Sequence, residues 1–228
     1  LCLTAPKQFE FQHLPEPPKP GPGEALVAVR AAGICGTDLS GYLGKMPFIQ
    51  CPRILGHELA VEVLATGPHV SRVQTGDRCS VEPYLHCGTC PPCRQGKTNC
   101  CEILQVLGVH RDGGFVERML LPVDKLHPAN ALQDESLALI ETLAIGCHAV
   151  ERSLLTPEET VLIFGAGPIG LSVLEFASLK TQNIILVDPD EIRRHFVRQH
   201  FPGITKCWQR HLNRPPKSCS TPQATLNR

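Results

Sequence analysis

Residues 160–188 read TVLIFGAGPIGLSVLEFASLKTQNIILVD. Thr160–Phe164 is an unbroken apolar run of the length and type of a buried strand, and Gly165–Gly170 is a glycine turn. Ile169–Leu179 carries apolar residues at helical spacing, and Ile184–Val187 is a second buried-strand run closed by Asp188. Strand, turn, helix and strand in that order open a parallel α/β sheet. The turn GAGPIG is G-x-G-x-x-G, with an acidic residue 18 positions beyond its last glycine. Glycines at these places let the backbone turn tightly and approach a pyrophosphate, which the N–H groups and positive end of the following helix favour. The candidate cofactor-binding residues are therefore Gly165, Gly167, Pro168, Ile169, Gly170 and Asp188. Asp188 suits two ribose hydroxyls and repels a 2′-phosphate, so NAD is expected over NADP. Arg193 and Arg194 keep NADP as the alternative, and Arg193 joins the cofactor candidates.

Upstream the periodicity changes. Residues 25–32 alternate as a strand after the Pro/Gly-rich stretch 15–23, and 59–65, 78–81 and 114–121 read as further short strands. Such a density of strands and turns predicts a β-rich barrel or sandwich. Residues 136–151 are helix-compatible and link it to the α/β part. After Phe201 no apolar periodicity remains, and Pro215-Pro216 breaks any element. The expected organisation is a β-rich domain over 1–150, a first βαβ over 151–201 and an irregular tail over 202–228.

Two groups of residues have the chemistry of metal ligands. Cys87, Cys90, Cys93 and Cys101 follow C-x2-C-x2-C-x7-C, so one tight loop can bring four thiolates onto one ion; Zn²⁺ in a closed structural site fits, with an iron–sulfur cluster as the alternative. Cys100 competes with Cys101 for the fourth place. The second group is dispersed: Cys35-Gly36-Thr37-Asp38, Gly56-His57-Glu58 and Glu141. A thiolate, an imidazole and a carboxylate from separate segments suit a zinc with an exchangeable position, which acts as a Lewis acid on an alcohol. Thr37 lies two residues from Cys35, within reach of a substrate oxygen, and Asp38 is placed to accept the second N–H of His57.

The chain of 228 residues has 22 Lys+Arg and 22 Asp+Glu, which excludes nucleic-acid binding as its main theme. Every acidic residue lies at or before Glu191; eight basic residues follow it, read as a disordered or foreign end rather than a nucleic-acid arm. No apolar run reaches the roughly 18 residues of a membrane span, and no secretory signal is visible at the first residues. The lack of an initial Met suggests missing N-terminal residues. Free thiols and zinc thiolates among twelve cysteines fit a reducing cytoplasm.

With these motifs in order, residues 1–200 resemble the zinc-dependent medium-chain alcohol dehydrogenase family, above all its polyol, threonine and sugar-acid branch. CGTD at 35–38, GHE at 56–58, GDR at 76–78, the cysteine loop at 87–101, GVHRDGGFVER at 108–118, ETLAIGCHAV at 141–150 and GAGPIG at 165–170 carry the likeness. The resemblance implies a GroES-like β-barrel catalytic domain followed by a partial Rossmann domain. It also implies catalytic zinc on Cys35, His57 and Glu141, with Glu58 as a carboxylate that can enter the coordination sphere. Thr37 would start the proton relay and Cys101 would be the fourth structural ligand. A secondary alcohol of a polyol or sugar acid would pass hydride to NAD. A glutamate at 141, where the better-known alcohol branch has cysteine, points away from small primary alcohols. Val61 departs from the family signature, which has glycine there, and so questions the local packing. The family forms dimers and tetramers, so a homo-oligomer is expected. A zinc-free quinone-reductase relative is a further option, though that branch lacks both the cysteine loop and the CGTD/GHE set.

The family is longer than this chain, so a C-terminal truncation is expected, and with it the alternative of a zinc-binding remnant without turnover. Back-translated with free third bases and read from each codon's third base, 216–227 admits QVVFDATGN, a family-like strand and turn. A change of reading frame between about 201 and 212 accounts for the basic tail.

Overall fold

The computed structural model describes residues 1–203 and the backbone of a strand at 206–208. The chain divides into two compact units, Leu1–Ala144 and Ile145–Arg228. The first contains β1 (Cys2–Ala5), β2 (Gln8–Glu10), β3 (Glu24–Gly33), α1 (Gly36–Tyr42), β4 (Arg53–Ile54), β5 (Glu58–Thr66), β6 (Arg78–Val81) and β7 (Tyr84–Leu85). It continues through α2 (Pro91–Arg94), β8 (Gln105–Val106), β9 (Arg118–Pro122) and β10 (Leu126–Pro128). The helix α3 (Asp134–Ser153) contains the point of division.

A five-stranded antiparallel sheet in the order β10-β6-β5-β3-β9 carries this unit. Its centre follows from alternation: successive side chains of a strand point to opposite faces. Leu59, Val61 and Val63 of β5 therefore share one face and bury with Ala25, Val27, Cys79, Val81, Leu107, Leu121 and Leu126. Each fully buried aliphatic side chain contributes roughly 1.5–3 kcal/mol. Ala60, on the opposite face of β5, packs against Leu137 and Ala138 of α3. Val61 is fully buried in the core, so valine in place of the family's glycine is accommodated by the apolar layer. Cys79 behaves as a small core hydrophobe, and burial pushes its thiol up to about 11.

The GDR segment fastens the sheet to α3. Asp77 accepts from the Gln74 N–H and the Asn130 side-chain amide, while Arg78 donates twice to Asp134 Oδ1. The strand expected over 114–121 begins only at Arg118. The residues before it are spent on another contact: the N–H groups of Gly113, Gly114 and Phe115 donate to the carbonyls of Ile54, Gly56 and Leu55. Gly56 has φ +98°, and a Cβ there would lie 2.5 Å from the Phe115 ring. This segment therefore fixes the backbone just before His57.

The second unit has β11 (Val161–Phe164), α4 (Pro168–Ser178), β12 (Ile184–Val187), α5 (Glu191–His200) and β13 (Lys206–Trp208). The strands form a parallel sheet in the order β11-β12-β13. Ile163, Leu174, Ala177, Ile184, Leu186 and Val197 are its buried core, with Val150 and Ala166. The β-rich part followed by a partial doubly-wound α/β part is the architecture the sequence predicts. The unit extends past the expected end of pattern, however. Asp190 caps α5 by accepting from the Ile192 and Arg193 N–H groups, and β13 lies within the segment expected to be irregular. Lys-Cys-Trp has no apolar run to announce a strand; pairing with β12 forms it. The rest of 204–228, including the frame-shift reading over 216–227, lies outside the described residues. Among the described residues no helix is long and apolar enough to cross a membrane.

Candidate metal centres and dinucleotide turn

Adjacent strands bring the dispersed ligands together. β3 pairs with β5 so that Gly33 faces Glu58. Cys35, two residues beyond Gly33, and His57, just before Glu58, therefore meet at one end of the sheet. The ligand atoms of Cys35, His57 and Glu58 all lie within 4.8 Å of one another. His57 is 6% exposed. Its hydrogen bond to the Cys35 sulfur draws that thiol below its usual range against the opposing effect of burial. Burial pulls the His57 imidazole down, but Cys35, Asp38 and Glu141 outweigh it and the net shift is upward. The thiolate is the metal-binding form of cysteine, so the shift at Cys35 is in the direction a cation needs.

Asp38 holds both segments. It is the third residue of α1, from which a side chain reaches back to the N-cap. Its Oδ2 accepts from the Cys35 N–H at 2.8 Å and its Oδ1 from the Gly56 N–H at 3.2 Å. The expected hydrogen bond to His57 is not made: Oδ1 stands 3.7 Å from His57 Nδ1, which is buried without a hydrogen-bond partner. Both carboxylate oxygens are instead committed to the backbone. Thr37 lies close to the Cys35 sulfur, and its N–H and hydroxyl help to hold that thiol low.

Glu141, on α3, is outside the set of three whose ligand atoms converge. It is 8% exposed, and its Oε1 accepts from the Tyr84 hydroxyl at 2.8 Å. Burial raises its pKa; Tyr84 and His57 oppose the rise, and Glu58 adds to it. Glu58 in turn accepts from the Thr142 hydroxyl at 3.0 Å. Tyr84 does not stand out in the sequence, and Thr142 does so only as the second residue of ETLAIGCHAV at 141–150. Their only local signals are that Tyr84 begins the strand leading into the cysteine loop and that Thr142 follows Glu141.

The four cysteines form the second centre. The sulfurs of Cys87, Cys90, Cys93 and Cys101 lie within 4.8 Å of one another, those of Cys87 and Cys93 at 4.0 Å. Zn–S bonds of about 2.3 Å in a tetrahedron place sulfurs roughly 3.8 Å apart, so the loop fits that ion. Backbone N–H groups of Thr89 and Cys90 point at the Cys87 sulfur, and that of Cys87 at the Cys101 sulfur. The Thr89 hydroxyl and these N–H groups hold the Cys87 thiol down to about 5, while burial pushes Cys93 up to about 12. A 3-10 turn over Thr98–Cys100 leaves Cys100 exposed and buries Cys101 inside the group. Geometry thus selects Cys101.

In the second unit Gly165–Gly170 joins β11 to α4, which starts with Pro168 after the N-cap Gly167. A Cβ on Gly170 would collide with the Gly165 carbonyl oxygen. Asp188, at the end of β12, is 2% exposed. Its oxygens accept from the N–H groups of Ala166 and Asp190, each at 2.7 Å. Burial would raise its pKa, but these bonds and the neighbouring Arg193 and Arg194 bring it below the usual range. Asp188 therefore fixes the glycine turn with the oxygens expected for ribose. Arg193 lies 3.9 Å from Asp188 and beside Gly167. Arg194 is buried, bonded to the Asp188 carbonyl and to Glu191, and braces α5.

Residues 21–131 match the alcohol dehydrogenase GroES-like domain. The chain is 42% identical over 197 residues to L-galactonate-5-dehydrogenase of Escherichia coli K12, covering 86% of this chain and 58% of that protein. Residues 21–131 thus carry the GroES-like domain of alcohol dehydrogenases, and the chain as a whole is similar to dehydrogenases. Two solved structures of dehydrogenases share its fold. One, from Sinorhizobium meliloti, is described as a zinc-binding dehydrogenase bound to NADP. It superposes with a TM-score of 0.83 at 33% identity over 91% of this chain and 60% of that one. The other, an alcohol dehydrogenase from Escherichia coli CFT073 complexed with NADH, gives 0.81 at 33% identity over 91% and 61%. The chain thus spans about three fifths of the length of these relatives.

Proposed function

We propose that this chain is the metal-binding and first nucleotide-binding part of a zinc-dependent dehydrogenase that oxidises a secondary alcohol of a polyol or sugar acid with NAD. Residues 1–150 act as the catalytic domain, and 151–201 as the first part of the dinucleotide-binding domain. The convergence of Cys35, His57 and Glu58, with Glu141 beside them, supports the reading most directly. When bound, Zn²⁺ supplies Lewis acidity at the alcohol oxygen and the nicotinamide accepts the hydride.

The chain's own residues do the rest. Cys35 and His57 hold the cation with a carboxylate from Glu58 or Glu141. Asp38 fixes the backbone on both sides of the site. The Thr37 hydroxyl takes the alcohol proton and passes it outward. Cys87, Cys90, Cys93 and Cys101 hold a second, structural zinc. The turn from Gly165 to Gly170 and the start of α4 receive the pyrophosphate, with Asp188 shaping the turn and Arg193 flanking it. The negative charge of Asp188 disfavours a 2′-phosphate, although the relative bound to NADP keeps that cofactor as the second choice. The activity named for L-galactonate-5-dehydrogenase supports a polyhydroxylated substrate. A homo-oligomer in the cytoplasm belongs to the same proposal.

The test is to purify the 228-residue chain, measure zinc per chain, and follow NADH formation with a panel of polyols and aldonates. Two zincs and turnover are expected. One zinc, or NAD binding without turnover, favours the alternative of a metal-binding remnant.

A further inference from the structure

Two carboxylates lie beside His57, and each is held by one hydroxyl. Tyr84 donates to Glu141 Oε1 at 2.8 Å, and Thr142 donates to Glu58 Oε1 at 3.0 Å. Both bonds span long sequence separations, 57 and 84 residues, so neither is a by-product of local helix or turn geometry. Thr142 is 2% exposed and sits next to Glu141 on α3. One turn of helix thus supplies a carboxylate and the hydroxyl that holds the other. Among the described residues no other hydroxyl donates to the second oxygen, Oε2, of either carboxylate. Only Glu58 lies within the converging set with Cys35 and His57. The hydroxyls therefore act on the two groups that compete for the carboxylate position.

Tyr84 has a further connection. It opens β7, whose pairing with β8 places Tyr84 opposite Val106 and Leu85 opposite Gln105. All four cysteines of the second centre lie in the loop between these two strands. Closing that loop on an ion fixes the hairpin, and with it the reach of Tyr84 to Glu141.

Resting on the zinc reading above, we infer that Tyr84 and Thr142 are positioning residues that decide which carboxylate oxygen faces the cation held by Cys35 and His57. Tyr84 turns Glu141 so that Oε2 is its free oxygen, and Thr142 does the same for Glu58. Partners of this kind change metal affinity about 10- to 100-fold when removed.

Cobalt(II) is the probe, because its absorption bands report the ligands around it. The bands belonging to the first centre are isolated by subtracting the spectrum of Cys35→Ser. In the full chain, Tyr84→Phe is expected to shift those bands and to speed loss of that ion to a chelator about 10- to 100-fold. The rate for the cysteine-loop ion and the circular dichroism spectrum stay as in the parent. Thr142→Val is expected to act likewise through Glu58, and Thr142→Ser, which keeps the hydroxyl, to restore the parent bands. Bands and release rates in Tyr84→Phe and Thr142→Val matching the parent would overturn the inference while leaving the zinc reading standing. A parent spectrum that Cys35→Ser does not change would overturn both.

Discussion

Asp38→Ala tests the arrangement at its tightest point. Asp38 is 3% exposed and gives one oxygen to the Cys35 N–H and the other to the Gly56 N–H. Alanine leaves both donors without that acceptor. Hydrogen bonds to charged groups contribute about 1.5–3 kcal/mol each, so removing two costs roughly 3–6 kcal/mol. At about 2–4 °C per kcal/mol for a chain of this size, the melting temperature is expected to fall by roughly 6–24 °C. Asp38→Asn keeps one carbonyl oxygen able to accept one of the two bonds, so its loss should be near half of that. The assay is thermal melting followed by circular dichroism on zinc-replete protein, with chelator release of the ion at Cys35 measured alongside. The ion should leave faster in both variants, because Cys35 and His57 then sit on segments no longer tied together. An Asp38→Ala protein that melts within about 2 °C of the parent, far inside the expected range, and keeps its ion as long would refute the clamp.

Four other expectations follow from individual contacts. Cys101→Ala should lower metal content by one ion per chain, whereas Cys100→Ala should leave it unchanged, since only Cys101 lies in the four-sulfur group; elemental analysis decides. Gly56→Ala forces a side chain into φ +98° against the Phe115 ring, so a loss of about 1–3 kcal/mol in urea unfolding is expected. Gly170→Ala should abolish binding of NAD in calorimetry, because its Cβ meets the Gly165 carbonyl in the turn itself. The folded pKa of Asp188 is lowered, so its contribution to stability is present above the unfolded value near 4 and is lost as pH falls through the folded value. The stability gap between the parent and Asp188→Asn should therefore be flat from neutral pH to about 5 and shrink on further acidification; a gap independent of pH down to 2 counts against it.

What was legible in the sequence is what has a local period or spacing. The alternation of β3 and β5, the apolar runs of β11 and β12, the glycine turn and the three-residue steps of Cys87, Cys90 and Cys93 each carry their own pattern. Long-range pairing leaves no such mark. The hydroxyls of Tyr84 and Thr142 meet their carboxylates across 57 and 84 residues, and nothing near either residue announces it. The sequence offers Asp38 as acceptor for the second N–H of His57, since a metal-binding imidazole commonly has a carboxylate behind it; helix geometry turns its oxygens to backbone donors instead. Residues 114–117 looked like strand because Phe115 and Val116 are apolar, but the N–H groups of Gly113–Phe115 are taken by Ile54–Gly56. In β13, three residues without an apolar run become a strand only by pairing with β12.

Anomalous diffraction at the zinc edge, from crystals grown with zinc present, locates any metal held by the two centres. Two peaks per chain are expected: one among Cys87, Cys90, Cys93 and Cys101, and one contacting Cys35 and His57 with a carboxylate oxygen of Glu58 or Glu141. A well-ordered map with no peak between Cys35 and His57 would contradict the zinc reading.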